Sequence, residues 1–330
     1  MKLSREGISI LLFFNIYILN LSAQENPYMF PVRTDQQNYL SGTMGELRGT
    51  HFHGGIDIKT GGATGLKIFA AADGYVSGIK VNGGGYGNAL YIAHPQLGTT
   101  TVYGHLKKYN EQMDDYVLKE QYKRKSFALD LYPEKDAFQV KKGDLVAFSG
   151  NSGSSAGPHL HFEIRDKYQR PLNPLDYKFS EIKDNISPTV QKIGLKTMNK
   201  NSRINNQFGF FEFTPSRIKN EYTISKTIPV YGEIGILLMG HDRLNNASNK
   251  NGIPHLNMRV DDQQIIDITI DKIPFSKTRQ IMCYQDYQIK AKESKSFQKL
   301  FIDDGNELNI YKTDSNKGII YIKDSLDHDI

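Results

Sequence analysis

The sequence predicts a mainly β chain, built as two β-rich domains with one small helical insertion, and three observations predict it. From residue 24 to about 177 the chain is dense in glycine and in short runs of alternating polarity, the pattern of short strands joined by tight turns. Between residues 110 and 140 that pattern gives way to one suited to a helix. Beyond a break at 184–188, runs rich in Ile, Val, Tyr and Phe alternate with Asn, Lys, Gly and Asp turns, which points to a second β-rich domain of immunoglobulin-like sandwich type.

At the N-terminus Lys2 and Arg5 precede an apolar stretch, 8–21, and the small pair Ser22 and Ala23. Charged, apolar, then small is the order of a secretory signal peptide over residues 1–23, which would send the chain to the periplasm, the cell envelope or the outside. The rival reading is a retained membrane anchor, since only Asn15 and Asn20 interrupt the apolar stretch. No later segment is apolar enough to span a bilayer. Cys283 is the single cysteine, which excludes an internal disulfide and, so far from the leader, a lipid-modified N-terminal cysteine. The formal charge of +5 is a mild basic excess. No Lys/Arg run is long enough to follow a phosphate backbone, which argues against nucleic acid as a partner, although an anionic envelope polymer would be drawn weakly to such a surface.

The first domain spans 24–183. Residues 72–74 and 82–85 punctuate strands at 75–81 and 88–94, and a third strand at 99–105 follows the turn at 96–98, all at hairpin spacing. Asn110 is placed to cap a helix running to about Lys125, with Met113, Val117 and Tyr122 near one face. The turn at 141–144 leads into a strand at 145–148, and the Gly/Ser-rich loop 149–158 delivers the chain into another strand. The second domain spans 184–330, with strands expected at 235–242, 256–260 and 264–270. A last strand-like run, 318–323, lies close to Ile330, so this domain is expected to be short or incomplete.

Four of the histidines in the first half, at positions 53, 105, 159 and 161, sit in motifs whose geometry can be argued. In His53-Gly54-Gly55-Ile56-Asp57 a straight strand would hold the two end residues about 13 Å apart, too far for one metal with bonds of roughly 2 Å. The two glycines remove the objection by allowing a sharp turn. In Pro158-His159-Leu160-His161-Phe162-Glu163-Ile164 a strand puts His159, His161 and Glu163 on one face in steps of about 6–7 Å and the apolar residues on the other. One histidine can then bind a metal while the other reaches its water or a substrate carbonyl. In Tyr103-Gly104-His105-Leu106, Thr101, Tyr103 and His105 alternate onto one face, from whose end His105 can enter the same cleft. Each motif is weak alone, because a His-x-His on a strand is more often structural than metal-binding. Together, two histidines and a carboxylate make a three-ligand set with a fourth position for water, the arrangement of a catalytic zinc, and two histidines are left for proton transfer and oxyanion stabilisation.

The strings HFHGGIDI, YGHL and SGNSGSSAGPHLHFEIRD, occurring in that order over roughly residues 45–176, resemble the motif set of the LytM/lysostaphin-type zinc metallopeptidases. The resemblance implies a compact antiparallel β core with an open cleft and hydrolysis of peptide bonds in bacterial cell-wall peptidoglycan, whose peptides would be the partner. It implies one zinc ion held by His53, Asp57 and His161, with His105 and His159 as the catalytic pair. Glu163 is a candidate to fix a histidine tautomer; Asn88 and Tyr103 are weaker candidates for substrate contact. The chain departs from the common pattern after His105, where an insertion at 110–139 is free to wall or cap the cleft and so leaves substrate specificity open. Two other readings stand beside a peptidase: a catalytically silent module that binds the wall or activates other hydrolases, and an adaptor whose second domain does the work. His51, His94, His241, His255 and His328 are read as structural or solvated, and the glycines at 83–87 as a hairpin turn rather than a phosphate-cradling loop.

Overall fold

The computed structural model describes residues 26–324 and 326–330, so the expected signal peptide at 1–23 lies outside the described residues. Among the described residues no helix is long and apolar enough to cross a membrane. The first half lays down β1 Leu40–Gly42, β2 Ile56–Lys59, β3 Lys67–Phe69, β4 Gly74–Val81, β5 Ala89–His94, β6 Thr99–Gly104 and β7 Leu106–Tyr109. After the helix α1 Glu111–Arg124 come β8 Leu129–Leu131, β9 Gln139–Val140, β10 Leu145–Ser149, β11 His159–Asp166 and β12 Pro171–Leu172. One sheet runs β1-β2-β11-β6-β5-β4-β8, with β12 joined to β11 and β9 to β4; β3, β10 and β7 form a second sheet. Every pairing is antiparallel, as hairpin-spaced strands require.

The two-residue period decides which face is buried. On β11, Leu160, Phe162 and Ile164 are fully buried and join Ile56, Ile58, Leu90 and Ile92 in one core. Each such side chain contributes about 1.5–3 kcal/mol by leaving water, so the face they define is strongly fixed. The opposite face is thereby left to His159, His161 and Glu163.

Helix α1 starts as expected, with the Asn110 side chain accepting from the Met113 N–H, and ends at Lys125 in a left-handed conformation. Met113 and Val117 are buried, but Tyr122 is 78% exposed. Nine residues from Met113 amount to about two and a half turns, which puts Tyr122 on the opposite face. The insertion does not wall the cleft. Strand β8 extends the sheet beyond β4, at the edge remote from β2 and β11, and no residue of 110–139 lines the cleft described below.

In the second half the strand Val230–His241 is central, pairing with Thr189–Thr197, Arg203–Ile204, Gln298–Lys299 and Ile320–Ile322. His255–Val260, Gln263–Thr269 and Tyr311–Thr313 make a separate three-stranded sheet, and the helical segments Phe275–Gln280, Ile281–Tyr284 and Tyr287–Glu293 intervene. This half is β-rich as its composition predicts. An immunoglobulin-like sandwich is not confirmed by these pairings, in which one strand has four partners and helical segments interrupt the strand sequence.

The two halves share packing. Met44 and Phe52, from the loop before β2, are buried in the core of the second half, where Phe52 meets Tyr284 at a ring separation of 5.6 Å. Backbone bonding continues across the joint: Leu172 bridges Lys272, and the Asn173 N–H donates to the Asp271 carbonyl at 2.9 Å.

Candidate active site

Strands β2 and β11 are neighbours in a register that sets Asp57 opposite His161 and Lys59 opposite His159. Directly opposed residues share a face, so one strand pair presents a carboxylate, an ammonium and two imidazoles to the same side. His53 arrives from the preceding loop, which folds back on itself through bonds between Gly45 and His53 and between His53 and Glu46. Neither Gly54 nor Gly55 needs a left-handed backbone here. Gly55 is required for a different reason: a Cβ there would lie 2.3 Å from the Phe162 carbonyl oxygen, so only glycine lets this loop lie against β11.

The result is a triangle of three atoms. His53 Nε2 lies 3.0 Å from Asp57 Oδ1 and 3.1 Å from His161 Nδ1, which in turn lies 2.9 Å from Asp57 Oδ1. The far nitrogens assign the tautomers. His53 Nδ1 is 2.8 Å from the Thr43 carbonyl and His161 Nε2 is 2.8 Å from Glu163 Oε1, so in the neutral rings both far nitrogens carry the hydrogen and donate it. His53 Nε2, His161 Nδ1 and Asp57 Oδ1 therefore face one another with lone pairs only. Three converging acceptors repel unless a proton or a metal cation lies among them. Donors separated by about 3 Å suit a single ion with bonds of roughly 2.0–2.1 Å, the range for zinc with nitrogen and oxygen ligands. The residues present fit a divalent metal, and all three are buried.

The charges around this triangle are balanced in sequence. Burial raises Asp57, but His53, His159 and His161 outweigh it and hold the carboxyl well below its ordinary range. Asp57 Oδ2 accepts from Arg48 at 2.7 Å, leaving Oδ1 alone to face the histidines, and Glu46 Oε2 meets the same guanidinium at 2.9 Å. Burial lowers His161, yet its bonds to Asp57 and Glu163 and their charges raise it to about 9, so a proton on Nδ1 is the metal's competitor for this position. Glu163 is fully buried; desolvation raises it, while His161 and Arg165 bring it down to about 2. Its oxygens accept from His161 Nε2–H, from the Tyr86 hydroxyl at 2.5 Å and from Arg165 Nε–H at 2.6 Å.

His105 and His159 flank the triangle with ring centroids 4.7 Å apart. Each is anchored through Nδ1 to a backbone carbonyl at 2.8 Å, that of Ser152 for His105 and that of Gly157 for His159. Each Nε2 is thus a proton acceptor in the neutral ring, and His159 Nε2 lies 3.4 Å from Asp57 Oδ1. Burial lowers His105 to about 4, with the charge of His161 pushing the same way and the Ser152 carbonyl opposing both. His105 occupies the step between β6 and β7 with a left-handed φ of 59°.

That step corrects the face expected for Tyr103. Because the backbone reverses hand at His105, Tyr103 and His105 diverge: Tyr103 is fully buried, its hydroxyl accepts from the Ala71 N–H and the Thr101 hydroxyl within the core, and it does not line the cleft. Asn88 is also absent from the cleft wall; its backbone N–H donates to Ser152 Oγ. The structure brings His53, Asp57, His105, His159 and His161 to one open cleft of about 940 Å³, with Glu163 behind His161. The wall also contains Arg48, Lys59, Tyr86, Phe275 and Thr278. No local pattern marks these. Tyr86 sits in the glycine run read as a turn, where Gly87 (φ 64°) approaches Gly153 so closely that a Cβ would lie 2.5 Å from the Gly153 nitrogen. That contact fixes the loop carrying Ser152, the anchor of His105.

The antiparallel floor thus carries a buried His-Asp-His group able to hold a metal ion, with two accessory histidines beside it. Residues 51–122 and 134–174, the cleft-bearing part of the chain, match the sequence model of Peptidase family M23. The DD-carboxypeptidase/endopeptidase Mpg of Neisseria meningitidis is 32% identical over 123 residues, 37% of this chain and 22% of the relative. A metalloprotease of Haemophilus influenzae is 31% identical over 140 residues, 42% of this chain and 24% of that protein. The match thus spans about a quarter or less of either relative's length. Among solved structures, the catalytic domain of lysostaphin from Staphylococcus simulans is similar at 21% identity and a TM-score of 0.30, covering 41% of this chain and 87% of that one.

Proposed function

We propose that this protein is an exported zinc-dependent endopeptidase that hydrolyses peptide bonds in bacterial peptidoglycan. The observation that carries the reading is the triangle of three lone-pair atoms from His53, Asp57 and His161, with two further imidazole acceptors beside it in an open cleft. His53, Asp57 and His161 would hold the ion. When bound, zinc would supply Lewis acidity, lowering the pKa of water and polarising the scissile carbonyl.

The remaining work belongs to the side chains. His159 Nε2, beside Asp57 and anchored through Nδ1 to Gly157, accepts the proton of the attacking water. His105 presents a second Nε2 acceptor from the other side, and its depressed basicity keeps it neutral at ordinary pH. Neither ring can donate from Nε2 until it has taken a proton, so a histidine hydrogen bond to the developing oxyanion, and the proton for the leaving amine, follow proton capture. Lys59 gives the cleft a positive charge, while Asp57, the single carboxylate lining it among the described residues, is already engaged by Arg48. That balance suits peptides carrying carboxylates, as wall peptides do. The charged, apolar and small order of the leader supports export to the envelope.

The test is digestion of purified peptidoglycan by the mature protein, with products identified by mass, beside His161→Ala and chelator-treated samples. The reading requires peptide-bond products from the wild type and none from either control. Products persisting in both controls refute the metal mechanism, and a wild type that binds the wall without cutting it favours the silent-module reading.

A further inference from the structure

The short 3-10 segment Phe275–Gln280 belongs to the second half of the chain, yet it contacts the supports of both histidine ligands. One contact reaches the His53 side. Thr278 Oγ1 accepts from the Phe52 N–H at 3.1 Å and donates to the Phe52 carbonyl at 3.3 Å, bracketing the peptide unit next to His53. The Phe52 side chain is itself 3% exposed and packed on Tyr284 in the second core, with Met44 beside it. Thr43, whose carbonyl fixes the His53 tautomer, is the residue before Met44.

The other contact reaches the His161 side. The ring of Phe275 lies 4.6 Å from the Arg165 guanidinium carbon, within cation–π range. Arg165 Nε–H donates to Glu163 Oε2, and Glu163 Oε1 accepts from His161 Nε2–H. Phe275 therefore covers the outer end of a chain of contacts that ends on a metal ligand. Both Phe275 and Thr278 also face the cleft.

We propose that the segment Phe275–Gln280 is a positioning element of the metal centre, holding His53 through the Phe52 backbone and His161 through Arg165 and Glu163. The second half is then part of the catalytic unit rather than a tethered appendage. The inference rests on the reading of His53, Asp57 and His161 as metal ligands. Outer contacts that orient ligands typically change metal affinity by about 10–100-fold when lost. These contacts stand one step further out, so about tenfold is expected for each.

The test is zinc affinity measured by competition with a chromogenic chelator on the full-length mature chain. Thr278→Val keeps the shape and removes the hydroxyl; Thr278→Ser restores it. Phe275→Leu keeps an apolar side chain and removes the aromatic face; Phe275→Tyr restores it. The proposal predicts that Thr278→Val and Phe275→Leu each weaken zinc binding about tenfold, that the Ser and Tyr variants recover it, and that unfolding midpoints stay near that of the wild type. Affinities within twofold of wild type for both Val and Leu variants overturn the proposal. So does equal weakening in the Ser and Tyr variants, which would mark a general packing defect. A wild type that binds no zinc refutes the ligand reading itself, a distinct outcome that also removes this inference.

Discussion

Replacing Glu163 with glutamine probes the link between the charge network and the metal site. The carboxylate is fully buried and is met by three donors: His161 Nε2–H, the Tyr86 hydroxyl and Arg165 Nε–H. Glutamine has nearly the same shape but one acceptor oxygen and one NH2. If that oxygen serves His161 and Tyr86, the amide hydrogens press against Arg165 Nε–H. Arg165 is 8% exposed and has no other carboxylate among its ion pairs with the described residues, so its charge is left buried and unpaired. Breaking a buried pair in this way costs about 3–5 kcal/mol. The same change lowers the basicity of the His161 ring, for which a loss of about 10–100-fold in zinc affinity is expected. Urea unfolding of the metal-free protein reads the first quantity and chelator competition the second. Adding Arg165→Met to Glu163→Gln should recover much of the stability but not the zinc affinity, because the orphaned charge is removed while the carboxylate is still missing. A Glu163→Gln protein within about 1 kcal/mol of wild type, binding zinc equally well, would refute this account of the network.

His53→Ala, Asp57→Ala and His161→Ala should each lose bound zinc along with activity, whereas His105→Ala and His159→Ala should keep most of the zinc and hydrolyse wall peptides at least about 100-fold more slowly, as loss of a general base implies; metal analysis beside product mass separates the two classes. Histidine NMR titration should find His105 neutral down to about pH 4. Its folded pKa is below the unfolded value, so its contribution to stability is complete above about pH 6.5 and is lost as pH falls toward 4; a ring titrating near 6.5 in the folded protein contradicts the burial argument. Gly87→Ala, forced to a left-handed φ and against Gly153, should cost more than about 1 kcal/mol and loosen the Ser152 anchor, seen as a fall in kcat larger than any rise in KM. Lys59→Met should raise KM for peptides with free carboxylates more than for their amidated forms, because Lys59 faces the cleft opposite His159.

Much of the first half was legible because its signals are local. The two-residue period of 159–164 fixed which side of β11 is buried, and that alone aimed His159, His161 and Glu163 to one side. The cap at Asn110 and the end at Lys125 were readable from residue chemistry. What sequence reasoning missed depends on long-range approach. Tyr103 was given the face of His105 because a strand was extended one residue too far, across a left-handed turn that no motif announces. The place of the insertion was not legible: it follows a catalytic residue in sequence, yet pairing with β4 carries β8 to the other edge of the sheet. Phe275 and Thr278 lie more than two hundred residues from Phe52, and only the shared packing of Met44, Phe52 and Tyr284 brings them to the ligands.

Zinc-edge X-ray absorption on the purified, zinc-loaded mature protein tests the ligand set most directly. The account predicts one ion per chain with two imidazole nitrogens and a carboxylate oxygen at about 2.0–2.1 Å, and a fourth light ligand that exchanges with solvent. A coordination shell without two imidazoles, one unchanged by His161→Ala, or a protein that retains no zinc would contradict it.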